Sequence, residues 1–388
     1  MLQLKTENQF DTLRIKIPSS TFSKIDFSKF QRRIKVNVET GEINDNDLGA
    51  DSMWLEETGR GLNTFTYVPH LEIFDTQISA KILGEDYYQG IKGETINKVF
   101  QSLEERGIVE GIDATQFIEK SQVLRADNTF NIQLEGDPTD YYEAIELIAS
   151  KSKLGKIDTF VEGTSCTGIV LGKNTKKLQK ITIYNKIEEA KAIFRSPAYS
   201  AYNLPQMVEK EYGMKYPTFN SYFSNKMRVE LRVSDFDKLR RFYTEKRKGE
   251  VVLEDLLLSK KNAILYQYQQ MVSEKDSKTA MDFLNMSLEE KEWYKLKTFS
   301  SAANWALLKE FVFHFNGDEQ KVLDKIRKLY YKDETTGELK KISPSVREDV
   351  IRFCTDYKSI KKKQQKGELF SKNITEKYKS FEKQIKEL

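Results

Sequence analysis

Histidine is almost absent from this sequence, which contains only His70 and His314 in 388 residues. An HExxH motif, a histidine metal cage and a His-hydrophobe-His nuclease motif all require paired or clustered imidazoles, so these sites are excluded. We interpret His70 as a structural or exposed side chain. A metal site in this chain would have to be built from carboxylates, which suit Mg²⁺ or Mn²⁺ better than Zn²⁺.

Cysteine, long apolar runs and phosphate-binding loops are also scarce or missing. Cys166 and Cys354 are too few for a disulfide framework or a cysteine-based zinc site, which agrees with a reducing compartment. No GxxxxGK[ST] loop is present, which disfavours an ATPase motor. No apolar run approaches the roughly 18 residues of a membrane helix, and MLQLKTENQF lacks the apolar stretch of a signal peptide. We therefore expect a cytoplasmic protein without a membrane partner.

Charge is abundant and nearly balanced, with 63 Lys and Arg against 59 Asp and Glu. The excess of positive charge lies at the C-terminus, where residues 351–388 hold eleven Lys or Arg against five Asp or Glu. This segment includes Lys361, Lys362 and Lys363, and a nucleic acid is the natural partner for such a tail. A solvated, lysine-rich helix is the alternative interpretation.

The pattern of secondary structure changes along the chain. Segments rich in β-branched or aromatic residues, or alternating in polarity, predict strands at 10–17, 64–74, 122–134, 176–184 and 226–233. From about Val251 onward helical patterns dominate, interrupted by a turn or small hairpin at 333–345. We predict an α+β domain over residues 1–245 and a helical, basic C-terminal domain over 246–388 with a DNA-binding or accessory role.

Several of these strands carry chemically capable side chains opposite an apolar face. Because successive strand residues point to opposite faces, apolar residues at alternate positions leave the polar ones together. The polar set is Glu72, Arg125, Asp127, Tyr184, Lys186, Arg228, Glu230 and Arg232. If these polar faces are the same face of one sheet, the carboxylates, Tyr184 and several cations converge.

Such a group suits phosphodiester transfer. That reaction needs an in-line nucleophile, a divalent cation on the phosphate oxygens and positive groups that stabilise the developing charge. A tyrosine nucleophile keeps the bond energy as a phosphotyrosine ester, so the DNA can be rejoined without ATP. A free phenol has a pKa of about 10, so its ionisation at pH 7 costs about 4 kcal/mol. A metal or Lys186 would have to lower that cost.

Each candidate also has a simpler explanation. Tyr184 is one of 19 tyrosines and fits a half-exposed position in a sheet. Asp127 fits a turn residue at a strand end, Glu230 fits cross-strand ion pairing with neighbouring arginines, and Glu72 fits simple solvent exposure.

The joint order of five segments resembles a known family. FDTLRIKIP, LEIFDTQISAKILGED, LRADNTF, IYNKIEE and MRVELRV occur in this order over roughly residues 10–235. In this respect the chain resembles the filamentous-phage replication endonuclease of the gene II/gene X type and the related plasmid rolling-circle replication initiators. The resemblance implies a nickase-like fold, a twisted antiparallel sheet with helices on one side. It does not extend beyond about residue 250.

The resemblance also implies roles for individual residues. It makes Tyr184 the nicking nucleophile with Lys186 beside it, and it makes Glu72, Asp127 and Glu230 the ligands of Mg²⁺ or Mn²⁺. Ser79 and Lys81 follow the first of these carboxylates. The expected DNA contacts are Lys81, Arg125, Arg228, Arg232 and Lys361–Lys363, although the arginines could instead buttress the carboxylates.

The implied function is that of a rolling-circle replication initiator of a phage or plasmid. It would nick origin DNA, single-stranded or supercoiled duplex, become linked to the 5′ end, and later rejoin the displaced strand. A host helicase is the expected partner in the bacterial cytoplasm, and a homodimer is left open. Two alternatives remain, a mobilisation relaxase or transposase with similar chemistry, and a non-catalytic DNA-binding regulator.

Overall fold

The computed structural model describes most of residues 8–271 and a smaller part of the remaining chain. The described ranges are 8–32, 52–56, 58–136, 157–162, 165–172, 179–245, 248–271, 311–312, 314–327, 330–332, 339–341 and 374–387, with further positions at 138, 141–142, 144–145, 350–351, 354–355 and 357–358. The chain forms two compact units, residues 1–274 with 377–388, and residues 275–376. The boundary predicted at 245 therefore falls inside the first unit.

The first unit is built on one large antiparallel sheet. Its strands are β1 (Gln9–Pro18), β3 (Phe30–Arg32), β4 (Met53–Leu55), β5 (Leu62–Val68), β6 (Ile73–Ser79), β8 (Gln122–Gln133), β9 (Ile157–Glu162), β10 (Ser165–Leu171), β11 (Ile181–Tyr184) and β12 (Lys226–Val233). Within the described residues their order is β3-β4-β5-β6-β1-β8-β12-β11-β10-β9, and β2 (Phe22–Ile25) pairs separately with β7 (Val109–Ile112). The α+β class with an antiparallel sheet is confirmed.

Helices flank the sheet. Those of the first unit are α1 (Ile96–Glu105), α2 (Ala114–Lys120), α3 (Lys186–Phe194), α4 (Leu204–Tyr212), α5 (Tyr216–Phe223), α6 (Phe236–Tyr243), α7 (Leu253–Leu257), α8 (Ala263–Met271) and most of α10 (Ile374–Lys386). Residues 80–89 add a 3-10 segment. Asn185 starts α3 by accepting hydrogen bonds from the N–H groups of Ile187 and Glu188, which satisfies two otherwise unpaired donors.

The two faces of the sheet differ in character. On the apolar face, the Phe10 ring contacts Tyr243 of α6 with a centroid distance of 5.7 Å. On the polar face, the Arg228 guanidinium lies 5.3 Å from the ring centroid of Phe223 in α5. Helices therefore cover both faces, whereas the resemblance implied helices on one side. This matters for the site, because part of the polar face lies under helices instead of in open solvent.

The strand predicted at 64–74 is two strands. β5 ends at Val68, residues Pro69–Leu71 form a 3-10 turn, and β6 begins at Ile73. Pro69 has no N–H to donate and cannot continue a ladder, which explains the break. The chain reverses here through Glu72, whose φ of 52° is left-handed. The other four predicted strands correspond to β1, β8, β11 and β12.

The second unit contains, among its described residues, α9 (Glu319–Arg327) and a small hairpin. The hairpin consists of β13 (Tyr330–Lys332) and β14 (Leu339–Lys341), which pair antiparallel. Of the turn or small hairpin predicted at 333–345, the described residues 339–341 form the second strand of this hairpin. In the part of the chain that the structure describes, no helix is both long and apolar enough to cross a membrane.

The last helix, α10, packs in the first unit through residues from Tyr378 onward. Tyr378, Phe381 and Ile385 are buried, and the Phe381 ring lies 5.9 Å from that of Tyr268. The Gln384 side chain also accepts from the N–H and donates to the carbonyl of Gln133, at 2.8 Å each. In the basic C-terminus, the described helix α10 therefore packs in the fold. For this part of the chain the structure favours a lysine-rich helix of the fold over a nucleic-acid-binding tail.

Replacing Ile385 by Ala should lower the free energy of unfolding by about 2 kcal/mol, because it removes buried methyl groups and leaves a cavity. The exposed Lys383 of the same helix is the matched control, and Lys383→Ala should change stability by less than about 0.5 kcal/mol. Thermal melts of both variants check this. Equal stability of the two variants would mean that α10 does not pack here in solution.

Candidate active site

The register of β11, β12 and β8 brings the predicted nucleophile and two predicted carboxylates to one face. Thr182 lies opposite Glu230, so Tyr184, two residues further on, is a diagonal neighbour of Glu230. On the other side of β12, Arg232 lies opposite Asp127. The polar faces of these three strands are thus one face of the sheet, which was the condition for convergence.

A β-bulge adds a further carboxylate that the sequence analysis missed. The register between β1 and β8 shifts between Phe10 and Thr12, so Asp11 is an extra residue on β1. Asp11 Oδ1 accepts hydrogen bonds from Arg228 Nη1 at 2.8 Å and from the Tyr87 hydroxyl at 3.2 Å. Strict alternation would have put Asp11 on the apolar face. An aspartate at such an apolar position is the signal that could have found it.

The Tyr184 hydroxyl lies between the carboxylate of Glu230 and the ammonium group of Lys186. It donates to Glu230 Oε1 at 2.5 Å and accepts from Lys186 Nζ at 3.3 Å. Tyr184 is 9% exposed, and burial, followed by the charge of Glu230, raises its pKa well above the ordinary value of a phenol. The hydroxyl is therefore protonated at neutral pH, and its activation requires a group that accepts the proton.

Glu230 is placed and tuned to accept that proton. Burial, and then the nearby charge of Asp11, raise the pKa of Glu230 to about 7, against the opposing effects of Lys186 and Arg228. A general base works best when its pKa lies near the working pH. The side chain of Glu230 is still 22% exposed, so solvent reaches the site at this residue.

Lys186 is held in the interior by aromatic rings. Its Nζ lies 5.6, 5.4 and 5.3 Å from the ring centroids of Tyr87, Tyr184 and Tyr212. It also pairs with Glu189 Oε2 at 2.5 Å. Burial by itself would lower the pKa of Lys186, but the charges of Glu189, Tyr212 and Asp11 together more than offset it, so the pKa is raised overall. Lys186 is therefore a permanent positive charge beside the Tyr184 oxygen.

Arg228 is 1% exposed and lies beneath the site. Besides Asp11, it binds the Tyr87 hydroxyl with Nη1 at 3.0 Å and Asn131 Oδ1 with Nε at 3.3 Å. Its Nη1 is 4.0 Å from Glu230 Oε1. A guanidinium so buried cannot touch a DNA phosphate. The predicted DNA contact at Arg228 is therefore corrected to the alternative role, support of the carboxylates.

Glu72 does not belong to this group. It is exposed in the turn before β6, whereas the site lies towards the other end of the strands. Along β1, the position opposite Asp127 is Thr12, and the position opposite Ile73 is Pro18. Six strand residues span about 20 Å. The prediction of Glu72 as a metal ligand beside the other carboxylates failed because the strand assumed at 64–74 reverses direction at this residue.

Asp127 is already neutralised by two arginines. Arg125 binds it with both a Nε–Oδ1 contact of 2.8 Å and an Nη2–Oδ2 contact of 2.5 Å, and Arg232 Nε lies 3.1 Å from Oδ2. These pairs come from neighbouring positions on β8 and β12, because Arg232 is the cross-strand partner of Asp127. Both carboxylate oxygens of Asp127 are thus engaged by cations.

The donor set does not fit the predicted metal site. Asp11 and Glu230 remain, but Nη1 of Arg228 lies against both, so a fixed positive charge already stands between these carboxylates. Among the residues that the structure describes, no three or more His, Cys, Asp or Glu side chains are grouped to hold a metal. The trio of Glu72, Asp127 and Glu230 is not assembled.

The remaining predicted DNA contacts are more exposed. Arg232 has 61% of its side chain exposed and Arg125 has 22% exposed, and both are paired to Asp127. Arg232 is therefore an exposed cation two residues from Glu230 on β12. Lys361, Lys362 and Lys363, which were also predicted to contact DNA, lie outside the described residues.

Lys81 lies at the rim of the aromatic cluster. Its N–H donates to Ser79 Oγ at 3.3 Å, and its ammonium pairs with Glu211 Oε2 at 2.9 Å. The ammonium also lies 4.8 Å from the ring centroid of Tyr212, which is one of the rings around Lys186. Lys81 is therefore close enough to the network to contact a substrate that enters it.

Comparison with protein-family models gives no match to the chain, and comparison with curated protein sequences gives none either. The resemblance to phage and plasmid initiators therefore depends on the five ordered segments, and the case for function depends on the geometry of the site.

Proposed function

We propose that this protein is a DNA-nicking endonuclease and strand transferase that initiates rolling-circle replication of a phage or plasmid, with Tyr184 as nucleophile. The observation that carries the proposal is the Tyr184 hydroxyl, which is hydrogen-bonded to the partly exposed Glu230 side chain at 2.5 Å and to Lys186 at 3.3 Å. A nucleophile, a proton acceptor and a fixed positive charge are the parts that such a transfer needs.

In the proposed reaction the Tyr184 oxygen attacks a backbone phosphorus and Glu230 accepts the phenolic proton. The bond between phosphorus and the 3′ oxygen breaks, so the DNA 5′ end becomes a phosphotyrosine ester and the 3′ oxygen takes up a proton as a free hydroxyl. That hydroxyl primes synthesis. Attack by a new 3′ hydroxyl on the ester later reverses the transfer and closes the displaced strand into a circle.

Two internal cations support this chemistry. Lys186 lies next to the attacking oxygen and favours its ionised form, and Arg228 holds Asp11 and faces Glu230. Both charges are fixed in a buried setting, where they act more strongly than in water. DNA would approach from the Glu230 side, since the Glu230 side chain is partly exposed to solvent.

Mg²⁺ or Mn²⁺ remains part of the proposal through the resemblance alone, and no step is assigned to it. Chelation tests it, since removal of the cation should abolish nicking if the cation is needed. We further propose origin DNA and a host helicase as partners in the bacterial cytoplasm, with a homodimer left open. A relaxase or transposase would share the chemistry and would differ in its nick site and in its flanking genes.

A non-catalytic DNA-binding protein is the second candidate. It is favoured by the low exposure of Tyr184, whose hydroxyl is fully engaged in the network. A covalent adduct separates the candidates. Random-sequence single-stranded oligonucleotides labelled at the 3′ end should yield a protein-linked label that survives boiling in detergent, and sequencing of the linked strands gives the nick site. No such adduct with any sequence would favour the second candidate.

The rate of nicking should rise with pH around a midpoint near 7. Glu230 accepts a proton only when it is ionised, and its pKa is raised to about 7 by burial and by the charge of Asp11. The Glu230→Gln variant should nick at least about 100-fold more slowly than the wild type. Its rate should also no longer show a midpoint near pH 7. Single-turnover nicking rates across the pH range measure both effects.

The raised pKa of Glu230 also makes the stability of the protein depend on pH. Stability should fall as pH rises, whereas the nicking rate should rise. Because the pKa of Glu230 is raised on folding, its contribution is fully present below the unfolded value and is lost as pH rises through about 7. Melting temperatures of the wild type should therefore fall relative to those of Glu230→Gln between about pH 4.5 and 7. A parallel pH dependence in the two proteins would contradict the assignment of the raised pKa to Glu230.

A further inference from the structure

Two arginines without a carboxylate partner lie side by side near the candidate site. Arg106 donates from Nη2 to the carbonyl of Arg60 at 2.5 Å and from Nη1 to the carbonyl of Thr58. Arg60 donates from Nε to the carbonyl of Lys81 at 3.2 Å. Among the described residues, these guanidinium groups are held by neutral backbone oxygens and form no ion pair with an acid. Their positive charges are therefore not neutralised locally.

The backbone is shaped to hold the Arg60 guanidinium in place. Gly213 ends α4 in a left-handed conformation with φ of 71°, and a Cβ at this position would lie 2.4 Å from Arg60 Cζ. Gly61 likewise approaches the backbone of Ile82 so closely that a Cβ would lie 2.1 Å from its nitrogen. Because glycine has no Cβ, Gly213 can lie against the Arg60 guanidinium and Gly61 can lie against the backbone of Ile82.

This arrangement works against stability. The pKa of Arg106 is lowered, first by burial and then by the charge of Arg60. Two like charges that repel each other without a counter-ion destabilise the folded state. A cluster that breaks this rule is expected where an anionic partner supplies the missing charge.

The cluster continues on both sides. Lys29 Nζ donates to the carbonyl of Arg106 at 2.7 Å, and Lys81 lies beyond Arg60. We call Lys29, Arg106, Arg60 and Lys81 the Arg60 row. Its Lys81 end contacts the Tyr212 ring, which in turn lies 5.3 Å from Lys186 Nζ. The row therefore runs from the surface to the aromatic cluster around the proposed nucleophile.

We propose that the Arg60 row binds backbone phosphates of the DNA that flanks the phosphodiester attacked by Tyr184. The proposal rests on the proposed function in its choice of DNA as the anion. Guanidinium groups bind phosphate in a forked geometry, and backbone contacts fix the register of the DNA without reading its sequence. A strand held along the row reaches the rim of the Tyr184 network at Lys81.

The test is the salt dependence of binding to a fluorescein-labelled random-sequence duplex, followed by fluorescence anisotropy. Arg60→Gln should reduce the slope of log affinity against log salt by about 0.9, because one phosphate contact releases about that many counterions. Arg60→Lys should keep most of the slope. The control is Lys24→Gln, which removes an exposed lysine that is paired to Glu110 on the separate β2–β7 sheet, and should leave the slope unchanged.

Thermal melts of the same proteins complete the test. Arg60→Gln should leave the melting temperature unchanged or raise it, since it relieves the repulsion with Arg106. An unchanged slope in Arg60→Gln would overturn the proposal, and so would a loss of binding and stability in both Arg60 variants, which would mark a structural role. The readout does not require nicking. A reduced slope together with no covalent adduct in the wild type would refute the nucleophile and leave the Arg60 row standing.

Discussion

Replacing Tyr184 by Phe should reduce nicking by at least about 10⁴-fold and leave DNA binding nearly unchanged. The substitution removes only the hydroxyl that would attack phosphorus, and loss of a nucleophile removes most of the rate that the catalytic groups provide together. Adduct formation on 3′-labelled single-stranded DNA and anisotropy binding to the same DNA measure the two properties separately. Retained nicking in Tyr184→Phe would show that Tyr184 is not the nucleophile.

The chain offers a closely matched control. Tyr199 also donates its hydroxyl to a carboxylate, that of Glu211, but its ring is not among the three that surround Lys186. Tyr199→Phe removes the same group from the same kind of hydrogen bond and should nick at the wild-type rate. If both variants lose activity equally, the effect of Tyr184→Phe is not specific to the proposed nucleophile.

The stability of the Tyr184→Phe variant carries additional information. The Glu230 carboxylate loses its donor and the Lys186 ammonium loses an acceptor, which costs about 1–3 kcal/mol for a buried polar group. The protein should remain folded at this cost. A melt within this range, together with intact binding, shows that lost nicking is a chemical effect.

Replacing Arg228 by Met should lower the free energy of unfolding by about 4 kcal/mol. Arg228 is buried beneath the sheet face and pairs with Asp11 at 2.8 Å, so its removal leaves a carboxylate without its main partner in the interior. Breaking a buried ion pair from one side typically costs 3–5 kcal/mol. Urea unfolding monitored by circular dichroism measures the loss.

The double variant Asp11→Asn with Arg228→Met separates charge from packing. If the cost arises from the uncompensated carboxylate, neutralising Asp11 should recover at least about half of it. The pH dependence gives a second check. Burial by itself would raise the pKa of Asp11, but Lys186 and Arg228 lower it overall, so its contribution is lost as pH falls through the acid range. The deficit of Arg228→Met should therefore shrink below about pH 4. A constant deficit would point to packing alone.

The positions of four central strands and the polarity of their faces were readable from local pattern. Alternation in MRVELRV put Arg228, Glu230 and Arg232 together, and all three project from the same face of β12. Prediction went wrong at residues 64–74, where hydrophobic content is continuous across Pro69. The pattern of polarity is the same whether the chain runs straight or reverses, so only the hairpin itself separates Glu72 from the other carboxylates.

The sequence pattern did not show which of the arginines on the polar face are buried and which are exposed. Arg228 and Arg232 differ by four residues on one strand and share a face, yet one is 1% exposed and the other has 61% of its side chain exposed. The difference arises because α5 covers one end of the polar face, where Phe223 packs near Arg228. Helix placement of this kind depends on contacts between segments that are distant in sequence.

The α+β class, the central strands and the side of the sheet on which Tyr184 and Glu230 lie all follow from local sequence, because a period of two is a local property of the chain. Tertiary structure alone decided that Asp11 joins them, since a bulge is defined only by the partner strand, and that Asp127 is bound by two arginines. It also decided the burial that raises the pKa values of Tyr184 and Glu230. Desolvation depends on which helices cover a residue, and no local pattern records that.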